Sequence, residues 1–258
     1  MSIATAVHNA IALKEYAPSK ITNNIMTQLV ESVVDINEDT YTNSVAARDV
    51  VRVREVSALT ETELEIAWAR KIISSDNAAA TMQSFPYLDN YRELTRREVE
   101  LITRTGFSLM SRQKALIIGS GPLPLSAIEI HKQTGMEAHQ VDSSEEAVTL
   151  SAGVCASLAV VSHQYCALGQ DVALVGTYDV ILVAALAGAT VHDKQAIINN
   201  VLPHLSAEGR IILRSARGNR ELLYPAIKAN EIKGVVKLAE YHPDDHVINS
   251  VFVYGREL

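Results

Sequence analysis

The sequence predicts an α/β protein in which an all-helical N-terminal part precedes a parallel β-sheet. Two observations support this prediction: glycine is absent before Gly106, and short β-rich runs alternate with helical segments from Lys114 onward. A long glycine-free stretch with few prolines favours packed helices over hairpins, and strands separated by helices indicate βαβ units. We therefore expect a helical domain over residues 1–110 and a sheet domain over residues 111–258, with the boundary between Gly106 and Gln113.

Three segments of the N-terminal part have the apolar spacing of amphipathic helices. The first spans residues 21–36, the second begins at Thr60, and the third follows Phe85 and Pro86. Glu63 stands three residues after Thr60, which is the spacing of a capping box, so we expect a helix to start there. The residues expected to face the core are Ile25, Met26, Leu29, Val33 and Val34 in the first segment, Leu64, Ala67, Trp68, Ile72 and Ile73 in the second, and Leu94, Val99, Leu101 and Ile102 in the third.

Seven β-rich runs follow, and their connections predict the sheet. The first five alternate with helical segments, whereas the last two are joined by the short loop of residues 242–246. A loop of that length cannot contain a crossover helix, so the last pair must be antiparallel. Five alternating strands closed by an antiparallel hairpin are the plan of a class I methyltransferase-like Rossmann domain. The predicted strands are residues 115–118, 138–141, 164–167, 180–183, 210–213, 235–241 and 247–254.

Composition and charge narrow the classes of function. The formal net charge is −7 and the basic residues are scattered, so we expect no nucleic-acid partner. Hydrophobic residues make up 48% of the chain without an 18-residue apolar run, which favours a cytoplasmic protein with no membrane partner. Cys155 and Cys166 lack metal-ligand spacing, and we interpret Asp245 and His246 as turn residues, so no metal site is expected.

The first predicted strand runs into a glycine turn that is typical of a cofactor site. Gly119 and Gly121 can adopt positive φ and allow a ligand to lie close to the backbone. Pro124 replaces the third glycine of the dinucleotide fingerprint and has no N–H, which argues against a pyrophosphate and favours S-adenosylmethionine. The predicted cofactor-binding residues are Gly119, Ser120, Gly121, Pro122, Leu123, Asp142, Asp171 and Ala184.

Two aspartates have specific expected roles in that site. Asp142 stands at the end of the second predicted strand, where its carboxylate can accept hydrogen bonds from the ribose hydroxyls. Asp171 follows the third strand and is a candidate acceptor for the adenine amino group. The alternative is that Gly119 and Gly121 form only a tight strand-to-helix turn and that Asp142 caps the next helix.

Five segments of the chain together are similar to the nicotianamine synthase family. They are residues 85–91 (Phe-Pro-Tyr-Leu-Asp-Asn-Tyr), 118–125 (Ile-Gly-Ser-Gly-Pro-Leu-Pro-Leu), 178–188, 213–218 with 223–225, and 242–250, which ends in Val-Ile-Asn-Ser. The resemblance spans residues 64–256 and is closest to the bacterial synthases of opine-type metallophores such as staphylopine, pseudopaline and yersinopine. It implies an enzyme that moves the aminocarboxypropyl (aminobutyrate) arm of S-adenosylmethionine onto an amine, releases methylthioadenosine and requires no metal.

The resemblance also implies roles for individual residues. An amine nucleophile must lose a proton, and a carboxylate with a raised pKa in a closed pocket suits that task. The family pattern assigns this role to Glu65, with Tyr91 as its hydrogen-bonding partner and substrate positioner. Arg214 is a candidate to bind a substrate carboxylate, with a structural ion pair as the alternative. Tyr224 and His242 are candidates to line the pocket of the amine acceptor.

Departures from the plant pattern bear on the product. Ala67 and Arg217 stand where plant members have histidine, and the chain is shorter. We therefore expect a single transfer to L-histidine, with an opine dehydrogenase acting on the product, and a homodimer as the default assembly. Three alternatives stay open: iterative synthesis of nicotianamine, an ordinary small-molecule methyltransferase that releases adenosylhomocysteine, and a cofactor-binding sensor in which Glu65 has no catalytic role. We expect the helical domain to roof the active site.

Overall fold

The computed structural model describes residues 1–34 and 40–257, which form a mixed β-sheet and the helices packed on it. The helices are Ile3–Ile11 (α1), Lys20–Val34 (α2), Ala47–Ile73 (α3), Ala78–Gln83 (α4), Leu88–Arg104 (α5), Leu125–Thr134 (α6), Glu145–Ser157 (α7) and Val191–Val201 (α8). The strands are Lys114–Ile118 (β1), Glu137–Asp142 (β2), Gln164–Cys166 (β3), Tyr178–Val183 (β4), Leu205–Ser215 (β5), Val235–Tyr241 (β6) and Ser250–Arg256 (β7). Short 3₁₀ helices lie at Tyr41–Asn43, Leu202–His204, Gly218–Leu222 and Ala229–Glu231.

The seven strands lie in the order β3-β2-β1-β4-β5-β7-β6. Strands β1 to β5 are parallel, whereas β7 pairs antiparallel with both β5 and β6. The predicted fold class, a class I methyltransferase-like Rossmann sheet preceded by helices, is therefore confirmed. Because the chain reverses its order between β1 and β4, the carboxyl ends of these strands flank a crevice of the kind in which α/β proteins bind ligands.

The last strand begins three residues later than predicted, at Ser250 instead of Val247. The backbone N–H of Val247 donates to the Asp245 carboxylate, and its carbonyl accepts a hydrogen bond from the Arg220 guanidinium. These side chains occupy the backbone groups that a strand would use for pairing, so residues 242–249 form a longer loop. The antiparallel pairing of the last two strands is nevertheless as predicted.

Helix α3 runs without a break from Ala47 to Ile73, so the predicted helix start at Thr60 is wrong. The Thr60 hydroxyl donates to the carbonyl oxygen of Val56, 2.8 Å away, and therefore bonds one turn back instead of capping a new helix. The predicted inner face is also partly wrong, because Ala67 and Ile73 are exposed. From Thr60 to the end of α3 the buried residues are Thr60, Glu65, Ala69 and Ile72.

The other two predicted helices, α2 and α5, are present, and their predicted inner faces are largely buried or half-buried. In α2 the residues Leu29 and Val33 are buried, and the predicted extension to Ile36 falls outside the described residues. In α5 the predicted stripe of Leu94, Leu101 and Ile102 is buried. The residues Ile25, Met26, Val34 and Val99 are half-buried. No helix in the two described ranges has the length and apolar character that crossing a membrane requires.

The side chains of the first strand alternate between the two faces of the sheet, as strand geometry requires. Leu116 and Ile118 pack into a cluster with residues of α8, whereas Ala115 and Ile117 join a cluster that contains Leu101 of α5. A third cluster joins residues of α3 and α4 with residues of α6 and α7. The N-terminal helices thus share their core with the sheet, and the division into domains at residue 110 stays a prediction.

Candidate active site

The carboxyl ends of β1, β2 and β4 face a cavity of about 420 Å³. The turn after β1, residues 119–123, forms one wall of this cavity, and we refer to it as the cofactor turn. Gly119 has φ +79° and Gly121 has φ +68°, a region that side chains disfavour. A Cβ at Gly121 would lie 2.6 Å from Oε2 of Glu65, so the absence of a side chain there allows the Glu65 carboxylate to lie over the turn.

Asp142 ties the cofactor turn to the end of β2. Its Oδ2 accepts a hydrogen bond from the Gly121 N–H at 2.9 Å, and its Oδ1 accepts one from the Ser144 N–H at 3.0 Å. The side chain that caps α7 belongs to Ser144, which accepts from the backbone of Ala147. Asp142 also lines the cavity, and its role toward a cofactor stays a prediction.

Most of the predicted cofactor residues lie together, and one does not. Asp171 is exposed and does not line the cavity, where its neighbour Gln170 is found instead. Its N–H bonds back to the carbonyl of Leu168, so the chain turns before Asp171 and directs the segment away. The predicted residues that line the cavity are Gly119, Ser120, Gly121, Pro122, Leu123, Asp142 and Ala184.

A second cavity, of about 440 Å³, lies between the N-terminal helices α2, α3 and α5 and the loop that precedes β7. Its lining is mostly apolar or aromatic, and includes Met26, Leu64 and Phe85. The two cavities have five lining residues in common, which we call the junction residues: Glu61, Glu65, Tyr91, Tyr224 and Asn249. The junction is therefore the place where the contents of the two cavities could meet.

Hydrogen bonds connect four of the junction residues. Glu61 and Glu65 lie one turn apart on α3, which places both carboxylates on one face of the helix. The Tyr91 hydroxyl lies 3.3 Å from Oε1 of Glu65 and 3.4 Å from Oε1 of Glu61. The Tyr224 hydroxyl donates to Oε2 of Glu61 at 2.8 Å. The predicted pairing of Glu65 with Tyr91 is thus present as a contact, and its catalytic role stays a prediction.

The position of Tyr91 follows from the segment that precedes it. Phe85 is buried and packs edge-on against Trp68 of α3, with 5.5 Å between the ring centroids. Aromatic pairs of this geometry stabilise the contact beyond simple burial. The contact fixes the start of α5 against α3 and brings Tyr91 to Glu65, so the aromatic residue three positions after Glu65 and the Phe-Pro-Tyr segment position the carboxylate and the phenol together.

Burial and neighbouring charges shift the pKa values of Glu65, Glu61 and Tyr91. Burial raises the pKa of Glu65 well above its usual range, and the negative charges of Glu61 and Asp142 add to the effect. Burial also raises the pKa of Glu61, but hydrogen bonds from Tyr224 and Tyr91 and the charge of Arg214 oppose the rise. Burial likewise raises the pKa of Tyr91, which keeps it a hydrogen-bond donor. A carboxylate with a raised pKa suits general-base chemistry near neutral pH.

Arg214 lines the first cavity, but its guanidinium is bound to the protein. Nε and Nη2 contact the two carboxylate oxygens of Glu98 at 2.7 and 3.0 Å, and Nη1 donates to Ser126 at 2.8 Å. The structural ion pair considered as the alternative is therefore present, and most of the donors are occupied. Arg214 still places a positive charge beside Tyr91 and Glu61.

The candidate His242 lies outside both cavities. It follows the edge strand β6, its Nδ1 is 2.9 Å from the Ser250 hydroxyl, and its ring packs edge-on against Phe252. The residues of this loop that line the second cavity are His246, Ile248 and Asn249. The interpretation of Asp245 as a simple turn residue is incomplete, because its carboxylate accepts two hydrogen bonds from Arg97 of α5 and so anchors the loop.

Two junction residues had no predicted role. Glu61 stands four residues before Glu65, so helical spacing alone could have placed it on the same face. Asn249 lies in the Val-Ile-Asn-Ser segment, and its Nδ2 is buried without a hydrogen-bond partner among the described residues. This buried donor beside two cavities is available to a ligand or a water molecule. No group of histidine, cysteine and acidic residues in the described ranges is arranged to hold a metal ion.

The chain is similar to known proteins along most of its length. A family model described as nicotianamine synthase protein matches residues 2–258. Nicotianamine synthase of Solanum lycopersicum is 29% identical over 250 residues, which cover 93% of this chain and 78% of the relative. Nicotianamine synthase 2 of Oryza sativa subsp. japonica is 31% identical over 265 residues, covering 96% of this chain and 79% of the relative.

Two solved structures have the same fold. MtNAS in complex with MTA and tNA aligns with a TM-score of 0.79 at 23% identity, covering 99% of this chain and 96% of that chain. An S-adenosylmethionine-dependent methyltransferase from Clostridium acetobutylicum aligns with a TM-score of 0.52 at 10% identity, covering 65% of this chain and 92% of that chain. MtNAS matches nearly the whole chain, whereas the methyltransferase matches about two thirds of it.

Proposed function

Because the chain belongs to the nicotianamine synthase family, we propose that it is an S-adenosylmethionine-dependent aminocarboxypropyltransferase. It joins the aminocarboxypropyl arm of this sulfonium substrate to an amino-acid amine and releases methylthioadenosine. The observation that carries the proposal is the meeting of two cavities at Glu65, one at the cofactor turn and one lined by the N-terminal helices. A reaction between two bound molecules is favoured when both are held beside one proton acceptor.

The first cavity has the chemistry that S-adenosylmethionine requires. Gly119 and Gly121 allow Ala187 and Glu65 to lie close to the cofactor turn. Asp142 lines the cavity, and its carboxylate is a candidate to accept hydrogen bonds from hydroxyl groups. Arg214 is the one lysine or arginine among the described residues that line it, and Glu98 occupies its guanidinium. A site without a free cation suits a phosphate-free, positively charged ligand better than a dinucleotide.

The junction residues supply the proton chemistry of the transfer. The nitrogen of the acceptor forms a bond to the γ-carbon of the arm, the carbon–sulfur bond breaks, and the electron pair stays on sulfur. An ammonium has no lone pair, so it must first give one proton to a base, and Glu65 is the base in this proposal. Tyr91 holds the carboxylate by a hydrogen bond and orients it toward the place where the cavities meet.

For the acceptor we propose L-histidine and one transfer per product, in the synthesis of an opine-type metallophore that a partner dehydrogenase completes. The support is the similarity of the segments at residues 85–91, 118–125 and 242–250, together with Ala67 and Arg217 at positions where the plant pattern has histidine. Tyr224 lines the second cavity and is the proposed acceptor contact. The second candidate function, iterative synthesis of nicotianamine, is favoured by the match to plant nicotianamine synthases.

The test is mass spectrometry of products from S-adenosylmethionine with and without L-histidine. We expect methylthioadenosine and histidine heavier by one aminobutyrate unit, and no product without the acceptor. Adenosylhomocysteine as the main nucleoside product would replace this function by methyl transfer. A series of products built from S-adenosylmethionine alone would instead establish the nicotianamine candidate.

A further inference from the structure

The junction holds more negative charge than the proposed transfer requires. Glu61, Glu65 and Asp142 all line the first cavity, and Asp89 lines the second together with the two glutamates. Among the described lining residues the groups able to carry positive charge are Arg214, which Glu98 occupies, and His246. The two cavities thus hold several acidic side chains and few basic ones among the described lining residues, so a positively charged ligand would balance their charge.

Ionisation of both Glu61 and Glu65 is unfavourable when no ligand is bound. They are buried or half-buried on one face of α3, and the negative charge of Glu61 raises the pKa of Glu65. Two neighbouring carboxylates of this kind share one proton more readily than both ionise. Which of the two keeps the proton follows from their hydrogen bonds. Tyr224 donates to Glu61 at 2.8 Å, whereas the single proton of the Tyr91 hydroxyl can serve only one of its two neighbours at a time.

Glu61 is therefore better stabilised as an anion than Glu65. The charge of Arg214 also acts in favour of ionised Glu61. Glu65 has the Leu123 backbone N–H as a further support, but it stands between the negative charges of Glu61 and Asp142. Its Oε2 lies over the cofactor turn, close enough that a Cβ at Gly121 would be only 2.6 Å away. Any positive charge held above this turn would act on Glu65 at short range.

We propose that Glu61 is the ionised partner that receives the ammonium of the acceptor, that Glu65 is protonated in the empty site, and that the sulfonium of S-adenosylmethionine expels this proton. The base then forms only when the donor is bound. The inference rests on the proposed function, because it takes a sulfonium as the ligand of the first cavity. A cation within about 4–6 Å lowers the pKa of a carboxyl group by about 1–3 units, which is the direction that the proposal requires.

The protons balance over one turnover. Binding of the sulfonium releases the Glu65 proton to solvent. The acceptor ammonium then gives one proton to the Glu65 carboxylate, its nitrogen bonds to carbon, and sulfur leaves as a neutral thioether. Glu65 ends protonated, which is its state in the empty site, and the new secondary amine keeps its remaining protons. The positive charge that ionised Glu65 is lost in the same step, so the base is switched off when the product forms.

Calorimetry can count the expelled proton without any turnover. The binding enthalpies of S-adenosylmethionine and of S-adenosylhomocysteine are measured in two buffers of different ionisation enthalpy. These ligands share the adenosine and the amino-acid arm, but the second has an uncharged sulfur. We expect release of about one proton with S-adenosylmethionine and essentially none with S-adenosylhomocysteine, at pH values between the pKa of Glu65 in the complex and in the empty site. Above that window the affinity for S-adenosylmethionine should stop rising with pH.

Three variants test which residue releases the proton when S-adenosylmethionine binds. Glu65→Gln should abolish the release while S-adenosylmethionine still binds. Glu61→Gln removes the neighbouring negative charge, so the release should shrink, and the KM of the acceptor should rise about ten- to a hundredfold through loss of a charged hydrogen bond. Glu63→Gln is the matched control, because Glu63 lies on the same helix and lines neither cavity. It should behave as the wild type.

Equal proton release with both ligands, or release that persists in Glu65→Gln, would overturn the inference. So would a Glu61→Gln variant in which release and acceptor KM are both unchanged. These results differ from a failure of the proposed function, in which S-adenosylmethionine would not bind or would yield adenosylhomocysteine. Circular dichroism of each variant shows that it is folded, and glutamine keeps the shape of glutamate.

Discussion

The acidity of Glu65 predicts how the rate depends on pH. Burial raises the pKa of this carboxyl group, and a base acts only when it is deprotonated. The kcat/KM for S-adenosylmethionine, which depends on the protonation of the free enzyme, should therefore rise with pH through the raised pKa and fall as pH decreases through it. Glu65→Gln should lose this dependence, and its turnover should drop by about a hundred- to ten-thousandfold, the usual contribution of a positioned base. Steady-state kinetics over a pH series measure both effects, and near wild-type turnover in the variant would remove Glu65 from the mechanism.

Asn249 offers a test in which stability and binding separate. Its amide Nδ2 is buried at the junction without a partner in the described part of the chain. Removal of an unsatisfied buried donor relieves a cost of about 1–3 kcal/mol. Asn249→Ala should thus leave the free energy of unfolding unchanged or higher, while the affinity for one of the two substrates falls about tenfold. Denaturant titration measures the free energy of unfolding, and calorimetry measures the affinity. Reduced stability with unchanged affinity would mean that the amide has a structural role and does not contact a substrate.

At the residue scale, the sequence predicted contacts that follow a motif and missed those made across the fold. Glu65 and Tyr91 were brought together by spacing and by the family pattern. Glu98 binds Arg214 from 116 positions away, and no local pattern marks that pair. His242 was predicted to line the acceptor pocket, but it lines neither cavity. The sequence of a loop does not show which of its residues face a cavity. Glu61 lines both cavities, which no local pattern in the sequence could show, and its proposed role depends on that position.

The cofactor turn can be tested with a pair of glycine substitutions. Gly121 and Gly106 both have positive φ, of +68° and +79°, so alanine strains the backbone at either position. Only at Gly121 would the new methyl group meet another atom, Oε2 of Glu65, whereas nothing lies within 4 Å at Gly106. Gly121→Ala should therefore lower turnover strongly, and Gly106→Ala should lower stability alone. Equal kinetic effects in the two variants would mean that displacement of Glu65 does not matter.

At the element scale, strands were easier to predict than helix ends. The buried parallel strands β1, β2 and β4 are short apolar runs next to turn residues, and their predicted positions agree with the structure within two residues. A helix was predicted to start at Thr60 because Thr60 and Glu63 have the spacing of a capping box. Only two residues define that pattern. The same spacing occurs inside a helix, where the hydroxyl bonds to the preceding turn. Local signals of this kind cannot distinguish the start of a helix from its middle.

A buried lysine gives the whole molecule a pH-dependent stability. Lys194 has no solvent exposure, and its Nζ donates to the carbonyls of Ala184 and Ala185, which line the first cavity. Burial lowers the pKa of Lys194 from 10.5 to about 7. Between these values the unfolded chain binds a proton that the folded chain has released. Stability therefore rises with pH across this window, and the full cost of the buried charge applies below it.

Lys194→Met retains the length of the side chain and removes its titration. Urea unfolding at pH 7 and at pH 10 should show a larger gain in the free energy of unfolding for the wild type than for Lys194→Met. The two proteins share every other titrating group, so the difference between their gains isolates Lys194. Equal gains would mean that this amine keeps an ordinary pKa in the folded chain.

The unbroken course of α3 constrains how the chain can change in length. Its N-terminal half packs against α1, its C-terminal half packs against α7, and the two junction glutamates lie between these contacts. One residue inserted into an α-helix rotates everything beyond it by about 100° and displaces it by about 1.5 Å. An insertion between Val56 and Glu61 would thus turn the carboxylates away from the cavities or break the packing at one end. Insertions and deletions within α3 should therefore abolish activity or stability, so a length scan of this helix would map the site without changing a single side chain in it.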